Sequence, residues 1–298
     1  MVERSGEQYA RVGRLDLCYE TFGERTMPPL LLIMGLGSQM VLWEDGFCER
    51  LAERGFWVIR FDNRDVGRST VLRDAPVPTR MQLVLRDPGG AAYTLADMAD
   101  DAAGLLDWLE VGAAHVVGIS MGGMIAQLVA TSHPTQVLSL VSIMSTTGNR
   151  RVGLTHPLLL RRLLRRRPTD HDSYVRDFVA GYSEIGSRRY PPGEERTRAL
   201  AERSFERGIH PAGSARQLAA IASAPDRTAL LRDIKVPTTV IHGDRDRLVM
   251  PSGGRATARA IGGSRLVVIP GMAHDLPPAL WDQVIEEIEH TAARAAAV

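Results

Sequence analysis

The chain has 298 residues, 44% of them hydrophobic and 24% charged, with a net charge of +1 at neutral pH. That length fits one large α/β domain with an inserted subdomain, enough to bury a core and an enclosed pocket. The balanced charge gives no electrostatic ground for nucleic acid as a partner, and no apolar run approaches the roughly 18 residues that cross a bilayer.

Residues 10–22 alternate apolar and polar (Leu15, Leu17 and Tyr19 against Asp16, Cys18 and Glu20), which predicts half-exposed antiparallel strands at a sheet edge. Pro28-Pro29 opens Leu30-Leu31-Leu32-Ile33-Met34, a continuous apolar run that reads as a strand buried on both faces. The glycine-rich loop Gly35-Leu36-Gly37-Ser38 follows, then a helix over 40–54. Phe56 to Phe61 is the next buried strand, ending at Asp62. Thr94 to Val111 has Leu95, Met98, Ala102, Leu105, Leu106 and Leu109 at helical spacing, with Thr94 as N-cap and Asp97 as its reciprocal partner. The strand His115-Val116-Val117 precedes Gly118-Ile119-Ser120-Met121-Gly122, a helix from Met124, and a strand over Val137–Ile143. Strands alternating with helices imply a mostly parallel central sheet with helices on both faces.

Between 146 and 233 the pattern changes: no buried strand is expected, and arginine-rich helical stretches alternate with turns such as Tyr190-Pro191-Pro192-Gly193. This reads as an inserted helical cap on a core made of 1–145 and 234–298. The core pattern resumes with a strand over 237–242, a helix over 252–261, the strand Arg265–Ile269 and a C-terminal helix from about Pro278, whose Ala-rich end (292–298) is expected to fray.

The G-x-S-x-G run between strand and helix is a nucleophile elbow in form. Its serine takes a strained conformation that lifts Oγ clear of the sheet, and its glycines avoid collisions with the adjoining strand and helix. The helix that starts there aims free N–H groups at the serine, favouring an oxyanion. A serine hydroxyl needs a base, and the base needs an orienting acid. Two later strand ends offer them: His242-Gly243-Asp244-Arg245-Asp246 and Gly271-Met272-Ala273-His274-Asp275.

The order Ser, Asp, His and these three segments resemble the α/β-hydrolase fold. The H-G-x-x-D-x-x-V and G-M-x-H runs look like those of actinobacterial esterases of the aclacinomycin methylesterase type, and of mycobacterial lipase/esterase-type proteins. The resemblance runs from Leu15 to about Ile288 and is weakest over 146–233. It implies Ser120 as nucleophile, His274 as general base and Asp246 as orienting acid, with Asp244 as the competing carboxylate, more suited to bracing its loop. It further implies an oxyanion hole from the backbone N–H groups of Leu36 and Met121, with no cofactor and no metal. Relatives often carry His where this chain has Met34, which puts the rigidity of that loop in question. The run Asp62 to Ser69 is similar to the D-x-R-G-x-G-x-S segment of the fold. There Asp62 and Arg64 would tie loops near the nucleophile, and Asp65 replaces a usual glycine.

The activity implied is a carboxylic-ester hydrolase acting on a small hydrophobic ester, such as a polyketide-type methyl ester or a lipid-like ester. A thioesterase, lipase or perhydrolase could use the same triad, and some members of the fold only bind small molecules or serve biosynthesis. Cys18 and Cys48 fit no metal-ligand spacing and read as free thiols. With no signal-like stretch at 1–8, they predict a cytoplasmic location. His115 and His242 read as core histidines, and Asp275 as a solvated or hinge-pinning residue. Met40 and Trp43 could line a pocket or pack in the core. The basic amphipathic run 158–167 reads as a cap helix with its arginines in water in preference to a membrane contact.

Overall fold

A computed structural model describes residues 2–165 and 167–296. Arg166 of the basic run and the last two residues of the Ala-rich end therefore lie outside the described residues.

The strands are β1 (Gln8–Val12), β2 (Leu15–Phe22), β3 (Pro29–Ile33), β4 (Trp57–Phe61), β5 (Ala114–Ile119), β6 (Val137–Ile143), β7 (Thr238–Gly243) and β8 (Arg265–Ile269). They form one eight-stranded sheet in the order β1-β2-β4-β3-β5-β6-β7-β8. β1 and β2 pair antiparallel, as do β2 and β4, and every later pair is parallel. The helices are α1 (Asp45–Glu53), α2 (Arg80–Leu85), α3 (Leu95–Trp108), α4 (Met121–Ser132), α5 (Pro157–Leu163), α6 (His171–Ile185), α7 (Glu194–Glu206), α8 (Pro211–Ser223), α9 (Ser252–Ala260) and α10 (Trp281–Ala296).

The unbroken apolar runs have a direct cause. In β3, Leu31 and Ile33 pack with α3 and α4 on one face, while Leu30 and Leu32 pack with α1 and α10 on the other. Both faces are covered, so no position in the strand can be polar without cost. Each such side chain contributes about 1.5–3 kcal/mol on burial. Thr94 caps α3 as expected: its hydroxyl accepts from the Asp97 N–H, and the Asp97 carboxylate accepts from the Thr94 N–H.

Three local readings change. β2 is buried over nearly its whole length, because Cys18 donates its N–H to Ser69 Oγ at 2.8 Å and accepts from Asp62 N at 2.9 Å, so the 62–70 loop covers it. The helix expected over 40–54 breaks at Trp43, whose ψ of 84° is not helical and whose carbonyl accepts from the buried Arg60 guanidinium. A short 3₁₀ turn (Met40–Leu42) therefore precedes α1. Another 3₁₀ turn (Pro278–Leu280) leads into α10, and the unanticipated α2 starts from a capping box of Thr79 and Gln82. Between 146 and 233 lie α5 to α8, with no strand among the described residues.

Candidate active site

Ser120 follows β5 directly and is the N-cap of α4, with φ 57° and ψ −117°. An L-residue enters this region only under strain. The strain is held by close packing. A β-carbon on Gly118 would sit 2.1 Å from the Gly122 carbonyl oxygen, and one on Gly122 would sit 2.0 Å from that of Ile33. Ser120 N–H also donates to the Ile143 carbonyl on β6 at 2.9 Å, and Ser145 Oγ donates to the Ser120 carbonyl at 2.8 Å. The hydroxyl is thus projected above the carboxyl end of the sheet.

The turns after β7 and β8 bring two further groups to it. His274 Nε2 lies 2.9 Å from Ser120 Oγ, and His274 Nδ1 lies 2.7 Å from Asp246 Oδ2. Asp246 is 3% exposed, so burial alone would favour its neutral form. The positive charge available on His274 and hydrogen bonds from His242 and His274 overcome that burial and hold the carboxyl at about 2. Its other oxygen accepts the N–H groups of Leu248 and Val249, each at 2.9 Å. An ionised carboxylate only accepts, so the imidazole proton belongs on Nδ1, and Nε2 keeps a lone pair toward the serine hydroxyl.

His242 is fully buried, with Nε2 at 2.8 Å from the Val249 carbonyl and 3.3 Å from Asp246 Oδ2. Both neighbours accept, so Nε2 carries the proton and His242 braces Asp246 from behind. Its Nδ1, against Gly254, has no partner among the described residues. His115 is a core histidine, bonded to Ser139 Oγ at 2.8 Å and kept neutral by burial, which lowers its pKa to about 4.

Leu36 lines the cavity beside Ser120, whereas the Met121 side chain is packed in the core and only its backbone borders the elbow. Among the described residues, neither N–H donates to a protein acceptor. The loop carrying Leu36 is braced without the histidine of relatives. Asn63 Nδ2 donates to the Met34 carbonyl at 3.0 Å, and Gly37 N–H donates to Gln217 Oε1 at 2.8 Å. Gln217 is on α8 and fully buried, and its Nε2 donates to the Arg64 carbonyl at 2.8 Å. Nothing in the sequence around 217 marks this role.

Asp62 ties loops as expected, accepting from Met40 N at 2.7 Å and Arg68 N at 3.0 Å and pairing with Arg207. Arg64 forms a bidentate pair with Asp101 at 2.6 and 2.7 Å. Asp65 keeps the left-handed backbone a glycine would adopt (φ 70°) and uses its carboxylate to grip Arg216 of α8 at 2.7 and 2.8 Å. Asp244 braces its loop by accepting from Gly271 N at 2.6 Å.

Asp275 is buried, not solvated: it accepts from Ser187 N–H at 3.0 Å and from the Ser187 hydroxyl. Ser187 Oγ in turn accepts from Ala273 N at 2.8 Å, and His274 N–H donates to the Ile185 carbonyl at the end of α6 at 2.9 Å. The segment carrying the imidazole is therefore fastened to the stretch around the end of α6.

A cavity of about 210 Å³ opens above Ser120 and His274. Its far walls come from α5 to α7, with Leu159, Leu163 and Ile185 supplying aliphatic surface. Tyr174, Phe178 and Tyr182 recur at four-residue spacing on α6, and the last two rings stack at 4.9 Å between centroids. Trp43 lines this cavity and stacks on Phe47 at 5.5 Å, while Met40 packs with Cys18 and Val41 in the core. Cys18 and Cys48 are free and buried, and burial pushes both thiols up to about 12. Among the described residues, no group of three or more His, Cys, Asp or Glu is placed to hold a metal ion, and no helix is long and apolar enough to cross a membrane.

A strand-turn-helix serine after β5, an aspartate after β7 and a histidine after β8 meet at the carboxyl end of a parallel sheet, the arrangement of a hydrolase-type fold. The chain belongs to the α/β hydrolase fold family, whose model matches residues 28–277. Over 126 residues it is 40% identical to rhodomycin D methylesterase DauP of Streptomyces sp. (strain C5), covering 42% of this chain and 38% of that relative. The matched segment thus spans less than two-fifths of that relative's length. Over 275 residues it is 26% identical to the bifunctional esterase/perhydrolase DCH of Acinetobacter calcoaceticus, covering 88% of this chain and 91% of the relative. Among solved structures, it is similar to the enol-lactonase from Burkholderia xenovorans LB400, with a TM-score of 0.76 and 25% identity over 96% of this chain and 100% of the other.

Proposed function

We propose that the protein is a carboxylic-ester hydrolase that works through an acyl-enzyme on Ser120, with residues 146–233 acting as a cap over the site. The observation that carries this reading is the unbroken relay from Ser120 Oγ to His274 Nε2 at 2.9 Å and from His274 Nδ1 to Asp246 at 2.7 Å. His274 takes the hydroxyl proton as Oγ attacks the ester carbonyl, and Asp246 holds the tautomer and stabilises the imidazolium. The N–H groups of Leu36 and Met121 receive the developing oxyanion. His274 returns the proton to the departing alkoxide. It then draws a proton from the water that attacks the acyl carbonyl and passes it to Ser120 Oγ as the acyl–oxygen bond breaks, releasing the acid and restoring the hydroxyl. No metal or cofactor enters this sequence of steps.

The aliphatic and aromatic walls support a hydrophobic ester as substrate. Similarity to a rhodomycin D methylesterase supports a methyl ester of a bulky polyketide as one case worth assaying, since fold and triad alone do not set the substrate. A relative named for esterase and perhydrolase activity over 91% of its length makes peroxide the second nucleophile to try. The test is multiple turnover of p-nitrophenyl acetate and butyrate, abolished in Ser120→Ala. Ester binding without turnover in the wild type would instead assign the fold a receptor role.

A further inference from the structure

The charges lining the cavity do not cancel. Its walls carry Arg162, Arg165, Arg167 and Arg196 against Glu44, Asp177 and Asp275. Arg196 is paired with Glu44, and Arg162 and Arg165 share Asp177, with Glu184 also on Arg162 at 3.2 Å. Arg167 forms no ion pair and no hydrogen bond with any described residue. Arg167 is exposed and lines the cavity; crowding by the surrounding protein lowers its pKa, against the pull of Tyr174 and Asp177. An arginine stays charged in such a place, and with no hydrogen bond to the protein its five N–H donors are free for a ligand in the cavity.

We infer that the cavity takes an ester bearing a carboxylate at the end remote from the scissile bond, and that Arg167 receives that carboxylate. This rests on the ester-hydrolase reading and specifies its substrate class. Guanidinium and carboxylate match in a two-pronged hydrogen-bonded pair, so the ligand supplies the counterion the protein withholds. A wholly apolar ester would fill the aromatic and aliphatic walls and leave the cation bare.

The spacing sets a limit. Arg167 Cζ lies 3.7 Å from where a β-carbon on Gly37 would be, and a β-carbon on Gly35 would lie 3.8 Å from Ser120 Oγ. Gly35 and Gly37 are two residues apart, at most about 7.6 Å, so guanidinium and hydroxyl can be no more than about 18 Å apart. That bound excludes no straight-chain half-ester up to sebacate, and the series below finds the length that fits. Leu159, Leu163 and the Tyr174–Phe178–Tyr182 stripe line the same cavity and suit the methylenes of such an ester.

The experiment compares methyl half-esters of straight-chain dicarboxylic acids, from succinate to sebacate, with neutral methyl alkanoates of equal chain length at pH 8. Wild type should prefer the half-esters at one intermediate length by about ten-fold in kcat/KM, a preference that falls with added salt. Arg167→Gln should abolish the preference and Arg167→Lys should retain part of it, with thermal melting showing both folded. A second readout does not depend on turnover: calorimetric binding of suberate to Ser120→Ala, weakened when Arg167→Gln is added. Neutral esters hydrolysed with no half-ester preference at any length would overturn this inference and leave the esterase reading standing. Arg167-dependent binding of suberate without hydrolysis of any ester would uphold the carboxylate subsite and overturn the esterase reading.

Discussion

Gln217 on α8 holds the backbone of Gly37 at 2.8 Å, across 180 positions of sequence, and its amide nitrogen reaches the Arg64 carbonyl at the same distance. One buried side chain thereby spaces the loop that carries Leu36 from the loop that follows β4. A helix of the 146–233 segment thus braces the loop whose Leu36 N–H we propose for the oxyanion.

Gln217→Leu should therefore lower kcat more than it raises KM, by about ten- to a hundred-fold, because a slack loop weakens a contact formed only in the transition state. Leaving a buried N–H and a buried carbonyl unpaired should also cost about 1–3 kcal/mol for each. Gln217→Glu keeps the acceptor for Gly37 and should recover part of kcat. Equal losses of kcat in the two variants would argue that Gln217 only packs.

Ser120, His274 and Asp246 should behave as one unit. Ser120→Ala and His274→Ala should each remove nearly all ester turnover, and the double variant should cost little more than either alone. Asp246→Asn should keep the fold yet lose about 10⁴-fold in kcat, since an amide favours the wrong tautomer of His274. Single losses that multiply in the double variant would show independent groups.

Asp246 also links stability to pH. Its carboxyl is held at about 2 in the folded protein, below the unfolded value of about 3.9. The unfolded state therefore takes up the proton first, and the stabilisation is complete above about pH 4 and lost as pH falls toward 2. Near neutral pH it is worth about 2 kcal/mol, with roughly half remaining at pH 3. Urea midpoints of wild type minus Asp246→Asn should converge over that interval, and a constant gap would contradict the assignment.

Gly122→Ala tests the packing of the elbow. Its β-carbon would stand 2.0 Å from the Ile33 carbonyl oxygen, which belongs to a central strand and cannot yield. Overpacking of this kind costs about 1–3 kcal/mol or more, so the variant should melt lower and lose turnover. Unchanged melting with normal activity would mean the turn is looser than its contacts indicate.

The two thiols give a simple chemical check. Burial pushes Cys18 and Cys48 up to about 12, and a protonated, inaccessible thiol does not attack disulfides. Native protein should react with neither equivalent of an aromatic disulfide reagent at pH 8, and denatured protein with both.

The central strands and the elbow were legible because their causes are local. β3 must be apolar at every position since both faces are covered, and the glycine at 118 is forced by the Gly122 carbonyl four residues on, whereas the glycine at 122 is forced by Ile33 on the neighbouring strand and was legible only from the G-x-S-x-G pattern. The capping pair Thr94 and Asp97 is likewise a contact over three positions. The turns holding Asp246 and His274 could be placed because they end recognisable strands. Gln217 and Ser187 could not, because their meaning lies in partners brought near by the fold. Ser187, just past the end of α6, reaches Ala273 across 86 positions, and Gln217, a polar residue inside α8, reads simply as surface. The half-exposure expected for β2 failed for the same reason, a distant loop covering it, and of the two readings of Asp275, solvated or hinge-pinning, its bonds to Ser187 match the second.

Ser187 and Gln217 also limit how this scaffold can be re-engineered. A chimaera that exchanges 146–233 for another relative's roof would acquire new walls, but it would also cut the fastenings of the 273–275 and 35–37 segments. Transplants that ignore those two positions would trade selectivity for a slack reaction centre. A graft that carries an acceptor at 217 and a hydroxyl at 187 should keep its turnover.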